Sequence, residues 1–171
     1  MHLKNFYKRI SRKKRGWGRQ SLYMLVIVVT VAPASHYVLN RFSIGIDPQN
    51  YPCLPEHRIY LIDKMDKDIQ KGKTFAFRSE YISSIAIKFI DGVAGDKVRV
   101  NPEETTVNDL MVGEGLLLAR ESGHTEQELQ REGIIPVGHI WLMGRTKVSF
   151  DSRYWGVLPI ENVIGRAYPI W

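Results

Sequence analysis

The chain has 171 residues, enough for one domain with a modest core, and 44 % of them are hydrophobic, as in ordinary globular proteins. The net charge of +6 is confined to the start: residues 1–20 hold eight Lys or Arg and no acid, while residues 21–171 hold 16 basic against 18 acidic residues, a net −2. A basic nucleic-acid-binding surface is therefore excluded for most of the chain, and a single cysteine, Cys53, excludes an intrachain disulfide.

Residues 1–19 read as a basic cytoplasmic tail. From Gln20 to Asn40 there is no Asp, Glu, Lys or Arg, and Leu22 to Leu39 is mostly apolar. About 20 such residues cross a bilayer core. Trp17 stands at the near edge, where interfacial aromatics collect. Residues 20–40 are thus expected to be a single-pass membrane anchor. The flanking cations keep the N-terminus cytoplasmic and send residues 41–171 outside. The competing reading is a cleavable signal peptide, with Leu22 to Val31 as its apolar part and Ala32-Pro33-Ala34-Ser35 as its cleavage site. The fate of Ala34-Ser35 stays open. Pro33 is expected to kink the helix or end it early.

Residues 41–52 read as a polar connector, with Asp47-Pro48 and Tyr51-Pro52 as breakers. Strands follow at Arg58 to Asp63, Thr74 to Phe77 and Tyr81 to Ile90. Gly92 to Val100 holds a Gly-Asp turn and another strand. Thr105 to Val112 and Gly115 to Leu118 suggest a β-ribbon. A short helix is expected around Gln127. Ile134 to Leu142 reads as one strand entered through Pro136-Val137-Gly138, and Val157 to Trp171 as a loop and a final strand. Short strands at this spacing make the fold class mainly β, preceded by one transmembrane helix.

Three stretches carry candidate chemistry. Ser149-Phe150-Asp151-Ser152-Arg153-Tyr154-Trp155-Gly156 is a polar turn between aromatics, and its Asp and Arg can form a bidentate pair that fixes a loop. In the strand at 81–90, Ile85, Ile87 and Phe89 point one way and Ala86, Lys88 and Ile90 the other. Lys88 is then the one cation among apolar neighbours, a setting that suits a lysine base; the plainer reading is a lysine snorkelling from a sheet face. Cys53 lies in Pro52-Cys53-Leu54-Pro55. It reads as a small buried hydrophobe or as a nucleophile, with His57 a rival base four residues on.

The run S-F-D-S-R-Y-W-G, followed by V-I-G-R-A at Val163 to Ala167, closely resembles the last box of the type I signal peptidases, the Ser-Lys peptidases of family S26. Lys88 to Asp96, K-F-I-D-G-V-A-G-D, resembles the family's Lys-Arg-x-x-Gly-x-Pro-Gly-Asp box, with Phe89 and Ala94 in place of Arg and Pro. Met143-Gly144 matches the start of its Met-Gly-Asp element, with Arg145 in place of the Asp. Cys53-Leu54-Pro55 matches the short Ser-x-Pro form of the conjugative-transfer branch, with Cys for Ser.

The resemblance implies a β-rich peptidase domain with a substrate cleft along a strand. Cys53 is implied as nucleophile, Lys88 as general base, Ser149 as the hydroxyl orienting the lysine, and Asp151 and Arg153 as a supporting ion pair. The Cys53 N–H becomes the first oxyanion donor. Tyr51 stands where many members have a small hydroxyl residue, so the second donor stays open. No cofactor, metal or nucleic acid is implied. The implied partners are membrane lipid and a pilin precursor or other exported preprotein with a small-residue cleavage site, which the enzyme hydrolyses or cyclises. The alternative is a non-catalytic assembly factor that binds signal-peptide-like segments.

Overall fold

The computed structural model describes residues 16–46 and 53–170. Most of the basic tail, both pairs of breakers, Tyr51 and Trp171 lie outside the described residues. The chain divides into two units after Asn40.

The first unit is the body of helix α1 (Trp17–Arg41), 25 residues long and apolar enough to cross a membrane by length and composition. It does not end at Pro33, which lies inside it. Proline removes one ladder hydrogen bond, and the residues from Ala34 to Arg41 continue the ladder for two more turns.

The second unit holds eleven strands among the described residues: β1 (Phe42–Ile46), β2 (Ile59–Asp63), β3 (Thr74–Ser79), β4 (Ile82–Val93), β5 (Lys97–Val100), β6 (Glu104–Val107), β7 (Leu110–Glu114), β8 (Arg131–Ile134), β9 (His139–Met143), β10 (Leu158–Pro159) and β11 (Val163–Pro169). Two short α-helices, α2 (Glu126–Leu129) and α3 (Ser152–Trp155), and a 3-10 turn at Ile160–Asn162 complete its described elements. The large sheet runs β1-β2-β11-β3-β4-β9-β10 and the small one β7-β6-β5-β8. The mainly β expectation holds.

Three details differ from the expectation. The supposed connector contains β1, antiparallel to β2 from Phe42–Asp63 to Ile46–Ile59. The β-ribbon is β6 and β7, and both strands fit within Glu104 to Glu114 because Asn108 and Asp109 turn the chain at φ of 50° and 61°. Asn and Asp tolerate that left-handed region in a two-residue hairpin, so Gly115 to Leu118 is not a strand. Finally, the expected strand from Ile134 to Leu142 is two strands, β8 in the small sheet and β9 in the large one, split at Pro136-Val137-Gly138.

The sheets share a core through β9. Ile140 and Leu142 pack with Phe75, Phe77 and Ile90 on one side. Trp141 and Met143 pack with Val98, Val100, Val107 and Tyr154 on the other. A strand buried on both faces reads as a continuous apolar run, as Ile140 to Met143 does.

β4 positions the site. β3 lies along one edge of it from Ile82 to Phe89. β9 takes the other edge only from Phe89 onward. Among the described residues, Ile82 to Lys88 therefore have a strand on one edge alone. A register shift between Ile90 and Gly92 leaves Asp91 in a β-bulge.

The tightest approach between strands is at Gly165, where a Cβ would collide with the Asp63 carbonyl and lie 2.7 Å from Lys64 Cα. Backbone cannot yield as a side chain does. Gly165→Ala is expected to cost about 1–3 kcal/mol by overpacking and to lower Tm by roughly 3–10 °C. A thermal melt equal to wild type would contradict the approach of β2 to β11.

Candidate active site

Lys88 is fully buried on β4, opposite Phe75 in register. Its Nζ donates a hydrogen bond to Ser149 Oγ at 2.6 Å, and Ser149 is also fully buried. The partner is a neutral hydroxyl, the arrangement a lysine base needs.

Ser149 is held in place by the turn that follows it. Asp151 caps α3, accepting from the Arg153 N–H at 3.3 Å, and also accepts from the Gly144 N–H at 3.0 Å. Its carboxylate takes Arg153 Nε at 2.8 Å and Nη2 at 2.9 Å, a bidentate pair with both side chains buried. The remaining guanidinium donors go to carbonyls: Nη2 to Ser149 at 3.1 Å and Thr146 at 3.2 Å, Nη1 to Glu114 at 2.7 Å. Burial opposes the Arg153 charge, but the Asp151 carboxylate outweighs it and raises the guanidinium pKa above its ordinary value. Arg131 Nη2 donates to the Arg153 and Tyr154 carbonyls and closes the other end of the turn.

Cys53 enters through its backbone. The Arg145 N–H donates to the Cys53 carbonyl at 2.8 Å. Gly144 directly follows Met143, the β9 partner of Phe89. A Cβ at 144 would run into Ser149 Oγ and lie 3.0 Å from the Cys53 carbonyl oxygen, so only glycine permits this approach. The Cys53 side chain is buried, at 8 % exposure. His57 lies on the wall of a cavity, its ring edge-on to Tyr60 at 6.4 Å.

Two of the departures from the family boxes, Phe89 and Arg145, face each other. Arg145 lies over the Phe89 ring, 4.0 Å from its centre. Its guanidinium also makes a bidentate pair with Asp91, at 2.5 and 2.9 Å. An acid has become basic at 145, and an acid inside the β4 bulge receives it. Sequence reading missed this pair, although the lone acid at 91 on an apolar strand was a signal. It also missed Ser152, whose buried hydroxyl accepts from the Leu142 N–H at 2.9 Å. Asp96 closes the β4–β5 turn, accepting from the Val93 N–H at 2.8 Å and from Asn108 at 2.7 Å, with Lys71 at 2.9 Å. Burial acts to raise its pKa, and these donors together hold it below the ordinary value.

Comparison with known proteins places the chain among relatives. The family model described as signal peptidase, peptidase S26, matches residues 16–171. Signal peptidase I of Pseudomonas aeruginosa is 28 % identical over 178 residues, covering 83 % of this chain and 60 % of that one. Thylakoidal processing peptidase 1 of Arabidopsis thaliana is 35 % identical over 138 residues, covering 67 % and 39 %. This chain thus spans about 60 % or less of these relatives' lengths. A crystal structure of a signal peptidase I from Enterococcus faecalis aligns with a TM-score of 0.41 at 21 % identity, over 59 % of this chain and 97 % of that one.

Removing one partner of a buried ion pair leaves an uncompensated charge, at about 3–5 kcal/mol. Asp151→Ala is therefore expected to lower the thermal midpoint markedly. Ser149→Ala, which removes one hydroxyl, is expected to stay near wild type. Equal melts for Asp151→Ala and wild type would show that the pair does not support the fold.

Proposed function

As the chain belongs to the signal peptidase family, peptidase S26, we propose that it is a membrane-anchored endopeptidase acting on exported preproteins, with Cys53 as nucleophile and Lys88 as general base. The observation that carries this reading is the buried 2.6 Å contact from Lys88 to Ser149. The Cys53 backbone is fixed beside it by Gly144 and Arg145.

The reaction runs in two halves. Lys88 takes the proton from Cys53 Sγ, and the thiolate attacks the carbonyl carbon at a small-residue cleavage site. The Cys53 N–H donates to the developing oxyanion. The C–N bond breaks, Lys88 returns its proton to the leaving amine, and a thioester remains. Water then attacks with Lys88 again accepting the proton, the S–C bond breaks, and Lys88 returns that proton to the departing Cys53 thiolate. A thiol suits this scheme because it is a far stronger acid than a serine hydroxyl. Ser149 holds the lysine, and Asp151 with Arg153 holds Ser149. Lys88 is preferred to His57 because it has the buried hydroxyl partner.

The short Cys-x-Pro form supports a conjugative pilin precursor as the substrate. In that case the amine of the pilin's own N-terminus can replace water and close a ring. The anchor is α1, in the bacterial inner membrane, with the N-terminal cations cytoplasmic and the domain after Asn40 in the periplasm.

The test is mass spectrometry of a co-expressed pilin precursor. Wild type is expected to yield mature product; a cyclic product lacks the mass of one water relative to the linear one. Cys53→Ala and Lys88→Arg are expected to yield none, since arginine stays protonated. A thiol-directed alkylating reagent is expected to inactivate the wild type with a single adduct. Full activity of Lys88→Arg would move the base to His57. Normal maturation by Cys53→Ala would overturn the peptidase reading and leave a non-catalytic binding factor.

A further inference from the structure

A cavity of about 560 Å³ opens beside the segment that follows Cys53. Leu54 and Pro55 form its near wall, and Thr74 and Phe89, paired across β3 and β4, form its floor. Three cations line it, Lys73, Arg145 and Arg166, against one carboxylate, Glu56. Arg145 is bound to Asp91, but Arg166 meets Asp66 only at 3.7 Å, and Lys73 is exposed.

The sheet determines what can reach this cavity. This step rests on reading the site as a peptidase with substrate laid along the open edge of β4. A peptide lying along Ile82 to Lys88 cannot continue past Phe89, because β9 occupies that edge from Met143 onward. It must leave the plane of the sheet. The face that bears Lys88 is filled by Phe75, Ile90, Leu142 and Ser149, all at 0 % exposure. The opposite face, at Phe89, opens into the cavity.

An exported preprotein is apolar before its small-residue cleavage site and polar after it. The exposed apolar Ile85 on the open edge suits the first part, and a cavity lined with charge suits the second. We propose that this cavity receives the first residues after the scissile bond, and that Lys73 and Arg166 select acidic side chains there.

The probe is a model preprotein with Ala-Ser-Ala before the cut and Asp-Glu, Ser-Gln or Lys-Lys at the second and third positions after it. The full chain in detergent is assayed for kcat/KM. Wild type is expected to favour the acidic over the basic precursor by about threefold to fivefold, the scale of half-exposed charge pairs. Lys73→Glu is expected to abolish or reverse that ratio, and Arg166→Gln to reduce it. In the wild type, raising the salt concentration is expected to shrink it, which keeps the test independent of the folding of either variant. Cleavage of all three precursors at equal rates would overturn the assignment of the cavity and leave the peptidase reading intact. A preference that survives both substitutions and high salt would do the same. Cleavage of none would overturn the peptidase reading and this inference with it.

Discussion

The buried pair of Asp151 and Arg153 is the constraint on which the site depends. Each group depends on the other in that position, since leaving one charge buried and unpaired takes a large share of a domain's stability. The hydrogen-bonding capacity that they do not spend on each other goes to backbone. Asp151 takes the N–H of Gly144, and Arg153 takes the carbonyls of Ser149, Thr146 and Glu114. One ion pair therefore joins the end of β9, the loop that carries Ser149, and the hairpin of the small sheet. The Lys88–Ser149 contact inherits its geometry from that junction. The lysine itself is set by β4, so two rigid elements meet at one hydroxyl, which is the support a reactive group needs.

The exchange around Arg145 follows the same physics with less burial. Arg145 is about one-third exposed, while Asp91 is buried in its bulge. The pair ties the chain beside Cys53 to the strand that holds Lys88, and the guanidinium face covers Phe89. A motif comparison that scores positions singly counts Phe89 and Arg145 as two defects. In space they are one contact, because a planar cation satisfies an acid with its edge and an aromatic ring with its face.

Much of this was legible from the sequence. The apolar run of α1, the alternation around Lys88 and the aromatic-flanked Asp-Ser-Arg turn each had a local physical signature. The family boxes led to Lys88, Ser149, Asp151 and Arg153, and the structure brings those four into two direct contacts. What stayed hidden was non-local. β1 has only the pattern Phe-Ser-Ile-Gly-Ile, too short to distinguish from a connector until β2 is beside it. The break between β8 and β9 depends on which sheet each half joins, and hydropathy does not encode that. Gly144 looks like any turn glycine; its requirement comes from Ser149 on one side and Cys53 on the other. Pro33 does not end α1, since one missing hydrogen bond does not stop a helix that has turns to spare on both sides.

The order of the large sheet has a consequence for how the chain is made. β11, residues 163–169, lies between β2 and β3, two strands that precede it by about a hundred residues and touch each other nowhere in the pairing. A chain delivered from its N-terminus, by the ribosome or through a translocation channel, presents β2 and β3 with an empty lane between them until that segment arrives. Both strands then have raw edges, the kind that pair with other chains. Central strands supplied late also demand the longest loop closures, which slows the final step. A nascent chain stalled before residue 163 is thus left as two half-sheets with a sticky seam. The lysine, serine and ion pair are all already emerged, yet the scaffold beneath them is still open.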